Sequence, residues 1–219
     1  AINKAVAEKG PVHINAPFEE PLYQTVSELA VHPTILDFVP EKKEIKINEI
    51  KAFADIWNQS KKKLILVGEN KPNMIDAEII EALAKDESVV VMTENTSNLH
   101  HPSFLNNIDT IITPFAPKEF QELQPDILLT FGGMVVSKRI KAFLRTYKPA
   151  HHWHIDSLRA YDTYGVLTQH FKVEPNPFFK QFLSFAIPIS SNYFSTFDAI
   201  AKLRETKHQD YLNKIPFSD

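Results

Sequence analysis

The strongest constraint on this chain's fold is a set of short runs that are apolar at almost every position. "KKLILVGEN" (residues 62–70), "SVVVMTEN" (88–95) and "DILLTFGG" (126–133) each read as a strand with no polar face. A strand apolar on both sides must be covered on both sides. Between these runs the spacing changes from strand-like to helical. "DAEIIEALAKD" (76–86) carries Ile79, Ile80, Leu83 and Ala84 on one helical stripe, and "SKRIKAFLRTY" (137–147) carries Ile140, Phe143 and Leu144. "PKEFQELQ" (117–124) is a further short helix. "IDTIITPF" (108–115) reads as another strand, as does "HHWHID" (151–156), while "FKVEPNPFFKQFLSFA" (171–186) gives a short strand and then a helix. Strands alternating with helices predict an α/β domain over residues 45–186, with a doubly wound, mostly parallel, Rossmann-like sheet.

The flanks differ. "AINKAVAEKG" (1–10) reads as the last helical turns of a preceding unit, stopped by Gly10, and "PVHINAPF" (11–18) alternates like a strand, with Val12 and Ile14 on one face. Pro11, Pro17 and Pro21 limit any strand there to a short one. Residues 24–44 mix prolines and charges without a period, as a linker does. Residues 192–213 have helical spacing at Phe194, Phe197, Ile200, Ala201 and Leu203. Little core is left for that helix, so residues 187–219 read as a connector.

The 219 residues are 43% hydrophobic and carry a net charge of -3, with no polybasic tract, which argues against nucleic acid as a partner. The absence of cysteine removes disulfides and thiolate metal sites. No apolar run approaches the roughly 18 to 20 residues of a membrane span. The start resembles neither a signal peptide nor an initiator segment, so a cytoplasmic chain cut from something longer is expected.

Ligands of open α/β sheets collect at the carboxyl ends of the strands. The loop after "DILLTF" is the main candidate. Gly132 and Gly133 let the backbone turn closely, Ser137 can cap the helix that follows, and Lys138 and Arg139 stand at its start. Two cations at a helix N-terminus repel its dipole by a few tenths of a kcal/mol, so a neighbouring anion would make sense of them. A solvated helix start is the competing interpretation. The spacing of a Walker phosphate loop is missing, as is GxGxxG. Thr93, Asn95 and Ser97 lie in a neighbouring strand-end loop and are weaker candidates by position. His152 and His154 share a strand face, and His100 and His101 share a loop. Neither pair has carboxylates at ligand spacing, so no metal is expected. Trp57 and Trp153 are expected in the core.

Two stretches resemble a known family. "GPVHINAPFEEPLY" (10–23) is similar to the end of the pyrimidine-binding domain of thiamine-diphosphate enzymes. In its fuller form it resembles the family of 2-succinyl-5-enolpyruvyl-6-hydroxy-3-cyclohexene-1-carboxylate (SEPHCHC) synthases of menaquinone biosynthesis. "FGGMVVSKRI" (131–140) is similar to that family's middle-domain G-x-x-x-x-G/S-K-R-L/I, and "HHWHIDSLRAYD" (151–162) bears a weaker likeness to its aromatic strand ending in Asp.

The resemblance implies a tail of the first domain (1–23), a linker (24–44), the middle domain (45–186) and a connector toward the third domain (187–219). It implies a parent transferase that decarboxylates 2-oxoglutarate with thiamine diphosphate and Mg²⁺ and adds the product to isochorismate. That parent is expected to be a homo-oligomer. Lys138 and Arg139 would then be substrate-binding cations. Neither the family's GD-x-S/T diphosphate motif nor its activating glutamate is found in this sequence, so no catalytic residue, no bound cofactor and no activity are expected of the chain alone. Two alternatives stay open: the middle domain of an acetolactate-synthase-like thiamine enzyme that holds FAD, or a free-standing α/β protein that binds a small acid.

Overall fold

In a computed structural model of the chain, the structure describes residues 1–8, 10–19, 25, 27–29, 31, 32, 34 and 45–216. It divides into two compact units, Ala1–Lys42 and Lys43–Asp219. In the first, α1 spans Ile2–Ala7 and has no buried residue. Residues 11–19 form no strand: Val12 and Ile14 are exposed, and none of the described residues pairs with them. Alternation alone does not make a strand where no ladder partner takes up its backbone groups.

The second unit carries a five-stranded, all-parallel sheet. The strands are β1 (Lys63–Val67), β2 (Val89–Met92), β3 (Ile127–Phe131), β4 (His151–Ile155) and β5 (Leu167–Phe171), in the order β2-β1-β3-β4-β5. β1, β2 and β3 are buried at every position, as their composition requires. Alternate residues serve two separate cores. Ile65, Val67, Leu129, Phe131, Trp153 and Ile155 face α2 (Ile47–Gln59), α3 (Ala77–Ala84) and α7 (Pro175–Phe182). Leu64, Leu66, Val90, Met92 and Leu128 face α4 (Ile108–Ile112), α5 (Pro117–Leu123), α6 (Lys138–Thr146) and α8 (Tyr193–Leu212).

Four features of this second unit depart from the sequence expectation. "IDTIITPF" holds the helix α4 rather than a strand. Its apolar residues Ile108, Ile111, Ile112 and Phe115 fall at i, i+3, i+4 and i+7, which is a helical stripe, and all four are buried. α2 is an element beyond those identified above, and its Ile50, Ala54 and Trp57 are buried on the same principle. β5 begins at Leu167, so the strand expected from Phe171 lies earlier in the chain. The start of α8 finds core to join: Tyr193 and Phe197 are buried, and the Tyr193 hydroxyl donates to the Leu123 carbonyl at 3.0 Å. The second compact unit therefore takes in this helix.

Lys63 opens β1 inside the core. Its ammonium lies 3.1 Å from Asp86 Oδ2 and 4.9 Å above the Trp57 ring. Asp86 also accepts from the backbone N–H and hydroxyl of Ser88, so its lone pairs are well used. Burial pushes the Lys63 ammonium below its ordinary value, and Asp86 opposes that shift. Removing one partner strands the other charge, which costs about 3 to 5 kcal/mol. Asp86→Asn should therefore lower the melting temperature by roughly 10 °C, whereas adding Lys63→Met to Asp86→Asn, which keeps an oxygen for Ser88, should recover most of the loss. Thermal unfolding of the three proteins checks this.

Candidate anion site at the carboxyl end of the sheet

The chain reverses its direction of growth across the sheet between β1 and β3, and the loops after these strands meet there. In doubly wound sheets this switch point is the usual ligand crevice. Here main chain fills it. The Gly68 N–H donates to the Phe131 carbonyl at 2.9 Å, and the Gly133 N–H donates to the Glu69 carbonyl at 2.7 Å. A Cβ on Gly68 would run into the Gly133 carbonyl oxygen, and Gly132 has φ +80°, so glycine is needed at both places. The two glycines after β3 thus serve a close backbone approach.

The start of α6 is filled as well. Glu94, from the loop after β2, accepts from the backbone N–H of Val136 at 2.7 Å and of Ser137 at 2.6 Å, one carboxylate oxygen to each. The Ser137 hydroxyl oxygen accepts from the Ile140 N–H at 3.1 Å, and its proton goes to Asp109. The helix dipole is therefore answered from within: two carboxylates of the protein stand at its positive end, ahead of Lys138 and Arg139. Both cationic side chains are exposed, and neither forms an ion pair with another described residue.

The weaker candidates separate by burial. Ser97 is fully buried, with its hydroxyl donating to the Val67 carbonyl at 2.8 Å and accepting from the Glu94 N–H at 2.9 Å. Thr93 is buried, and its N–H donates to the Leu105 carbonyl. Asn95 alone of the three is exposed. The structure thus brings Ser97 and Glu94 together and turns Thr93 inward. Glu94 and Asp109 escape sequence reasoning because they lie 43 and 28 residues from the backbone and hydroxyl groups they bind. In the loop after β4, Asp156 Oδ1 accepts from the Leu158 and Arg159 N–H groups, so this acid shapes its own turn.

Comparison with known proteins identifies the domain. The family described as "Middle domain of thiamine pyrophosphate" matches residues 35–184. The chain belongs to this family. It is 60% identical, over its whole length, to a protein of Flavobacterium johnsoniae named 2-succinyl-5-enolpyruvyl-6-hydroxy-3-cyclohexene-1-carboxylate synthase. Over the same span it is 56% identical to the protein of that name in Flavobacterium psychrophilum. A same-named protein of Desulfotalea psychrophila is 33% identical over 78% of the chain and shares 32% of its own length. The chain spans about 40% of the length of the two Flavobacterium relatives.

This middle domain also buries a histidine network on the sheet. Thr130 Oγ1 lies 2.9 Å from His152 Nε2 and 2.8 Å from His154 Nδ1, so one hydroxyl engages a nitrogen of each ring of the strand pair. His152 Nδ1 has no partner and is buried. A bare lone pair there costs less than a stranded N–H, which makes His152 the Nε2–H tautomer donating to Thr130. Among the described residues no group of three His, Asp or Glu side chains could hold a metal ion. His101 accepts from the Ser103 N–H at Nδ1 and points Nε2 at Glu81, 3.5 Å away, while His100 is exposed. No helix among the described residues is long and apolar enough to cross a membrane.

Burial lowers His152 from 6.5 to about 4; His154 adds to the fall, and Asp162 opposes it. Tyr164 packs edge-on against the ring and is itself held neutral by burial. The folded value lies below the unfolded one, so this site costs nothing above about pH 6.5. Stability is lost as the pH falls toward 4, by about 3 kcal/mol in total. Denaturant unfolding from pH 7 to pH 4 should show His152→Gln losing about that much less stability than the parent chain.

Proposed function

We propose that this chain is the middle domain of a SEPHCHC synthase, and that Lys138 and Arg139 supply cations to its substrate pocket. The observation that carries the proposal is the 60% identity over the whole chain to a relative of that name. The name of that relative describes a product with succinyl, enolpyruvyl and ring carboxylate groups, so such an enzyme handles several carboxylates at once. The parent reaction joins decarboxylated 2-oxoglutarate to isochorismate with thiamine diphosphate and Mg²⁺. Carbanion chemistry would come from thiamine diphosphate held by the parent enzyme.

The described residues of this chain do not fit that group. The crevice at the switch point is closed by backbone bonds, the start of α6 already holds Glu94, and no acidic cluster could take the metal. No chemical step is assigned to the chain, and by itself it should not turn over 2-oxoglutarate. Its contribution is binding. Arg139 offers a planar fork that can hold a carboxylate through two parallel hydrogen bonds, and Lys138 offers a point charge. Both project from a helix whose start is fixed by internal carboxylates and whose Ile140, Phe143 and Leu144 are buried, so the two side chains stand on a rigid base. An FAD-holding relative is less favoured, because the phosphate-binding elements such a domain would use are occupied.

The test is steady-state kinetics of the full-length enzyme carrying Lys138→Ala, Arg139→Ala and Arg139→Lys. Losing a charge-assisted fork costs about 1.5 to 3 kcal/mol, or about ten- to a hundredfold in kcat/KM. Arg139→Lys should be nearly as impaired as Arg139→Ala, since charge without the fork is not enough. Three variants within twofold of wild type toward both acids would return the pair to a solvated helix start.

A further inference from the structure

We propose that Glu94 is a positioning residue for the Lys138–Arg139 pair, a role that rests on the binding function proposed above. Its carboxylate holds two consecutive backbone N–H groups, Val136 at 2.7 Å and Ser137 at 2.6 Å, immediately before the two cations. This is a fork from a different loop, 42 and 43 residues away in sequence. It is not needed to cap the helix. Ser137 already does that by accepting the Ile140 N–H. What Glu94 adds is a fixed distance between the start of α6 and the centre of the sheet.

That distance is set by a short chain of bonds. The Glu94 N–H donates to Ser97 Oγ at 2.9 Å, and Ser97 Oγ donates to the carbonyl of Val67, the last residue of β1, at 2.8 Å. β1 pairs β3 in register up to Val67 and Phe131, and β3 leads back through Gly132 and Gly133 to residues 136 and 137. The loop is therefore held from both ends: by the β3 backbone on one side, and by Glu94, Ser97 and Val67 on the other. Met134 and Val136 are exposed within it, and Val135 between them is buried in the core, so apolar packing holds the loop at that one residue and Glu94 fixes the two amides that follow.

The clamp has an electrostatic consequence. Glu94 takes two main-chain donors that a phosphate or carboxylate would otherwise seek at a helix start. A ligand acid at this place meets Lys138 and Arg139, the first two residues of the helix, rather than the amides ahead of them. Recognition then depends on where those side chains stand, and hence on Glu94.

Full-length enzyme carrying Glu94→Gln, Arg139→Ala or both tests this, with melting temperature and amide exchange as companions. Gln keeps the shape but presents an N–H₂ group to one of the two amides. Glu94→Gln should raise KM about threefold to tenfold for the acid that Arg139→Ala affects, with kcat within about twofold. The rise in KM caused by Glu94→Gln should be smaller in the Arg139→Ala background than in wild type, because Glu94 acts through the pair. Exchange should quicken at Val136 and Ser137 and stay unchanged in β1 and β3. An unaltered KM in Glu94→Gln beside an impaired Arg139→Ala overturns the clamp and leaves the binding proposal standing. Additive effects in the double variant do the same. Silence of both Lys138→Ala and Arg139→Ala removes the binding proposal, and the clamp with it. Should Glu94→Gln not fold, Glu94→Asp keeps the charge and shortens the reach; a raised KM at constant kcat supports the clamp there, and an unaltered KM refutes it.

Discussion

The register between β1 and β3 is the constraint on which the rest of this domain depends. Lys63 to Val67 lie opposite Ile127 to Phe131 without a slip, and each of the two strands has another partner on its far side. A shift of one residue would exchange the two faces, sending Ile65 and Leu129 toward the core that now takes Leu64 and Leu128. It would also draw Gly68 away from Gly133, whose backbones approach too closely for any side chain between them. The in-register pair therefore determines at once which helices cover which face and which loops meet at the carboxyl end.

Closure of that end by main chain changes what the site can recognise. A doubly wound sheet usually offers a phosphate free backbone N–H groups at a helix start. In this chain Glu94 and Asp109 occupy the start of α6, and Ser137 links the helix to one of them. Two cations directly behind two carboxylates are electrostatically sensible without any ligand. The case for Lys138 and Arg139 as binding residues thus cannot rest on dipole repulsion. It rests on their exposure, on the absence of an ion-pair partner among the described residues, and on relatives named for a product rich in carboxylates.

Much of the fold was legible because it depends on local pattern. Consecutive apolar residues gave the buried strands, and the stripe of Ile140, Phe143 and Leu144 gave α6. The misassigned element, α4, shows where local pattern is ambiguous. Five residues with three isoleucines satisfy a β-branched count and a helical spacing equally, and only the extension to Phe115 separates them. α8 was misjudged for another reason: whether a helix has core to join depends on what its neighbours leave uncovered, here the surface near Leu123 that receives Tyr193. The site was half legible. Ser137 as a helix cap follows from its place before an apolar stripe, but the Glu94 fork and the Asp109 bond join loops that no spacing rule connects.

The polar groups buried elsewhere follow one rule and differ in cost. Lys63 keeps its charge inside the core because Asp86 and the Trp57 face both answer it. His152 gives up its charge because burial strips it of water and His154, which shares the Thr130 hydroxyl, disfavours a positive charge beside it. Glu94 lies between these cases: partly solvated, charged, and matched by two amide donors rather than by a cation. Had a lysine or arginine been its partner, the cation would have been neutralised and lost to a ligand. By binding backbone instead, the carboxylate holds the loop while leaving Lys138 and Arg139 free of it. For the binding role proposed for this pair, internal anions spent on main chain are what leaves the two cations available.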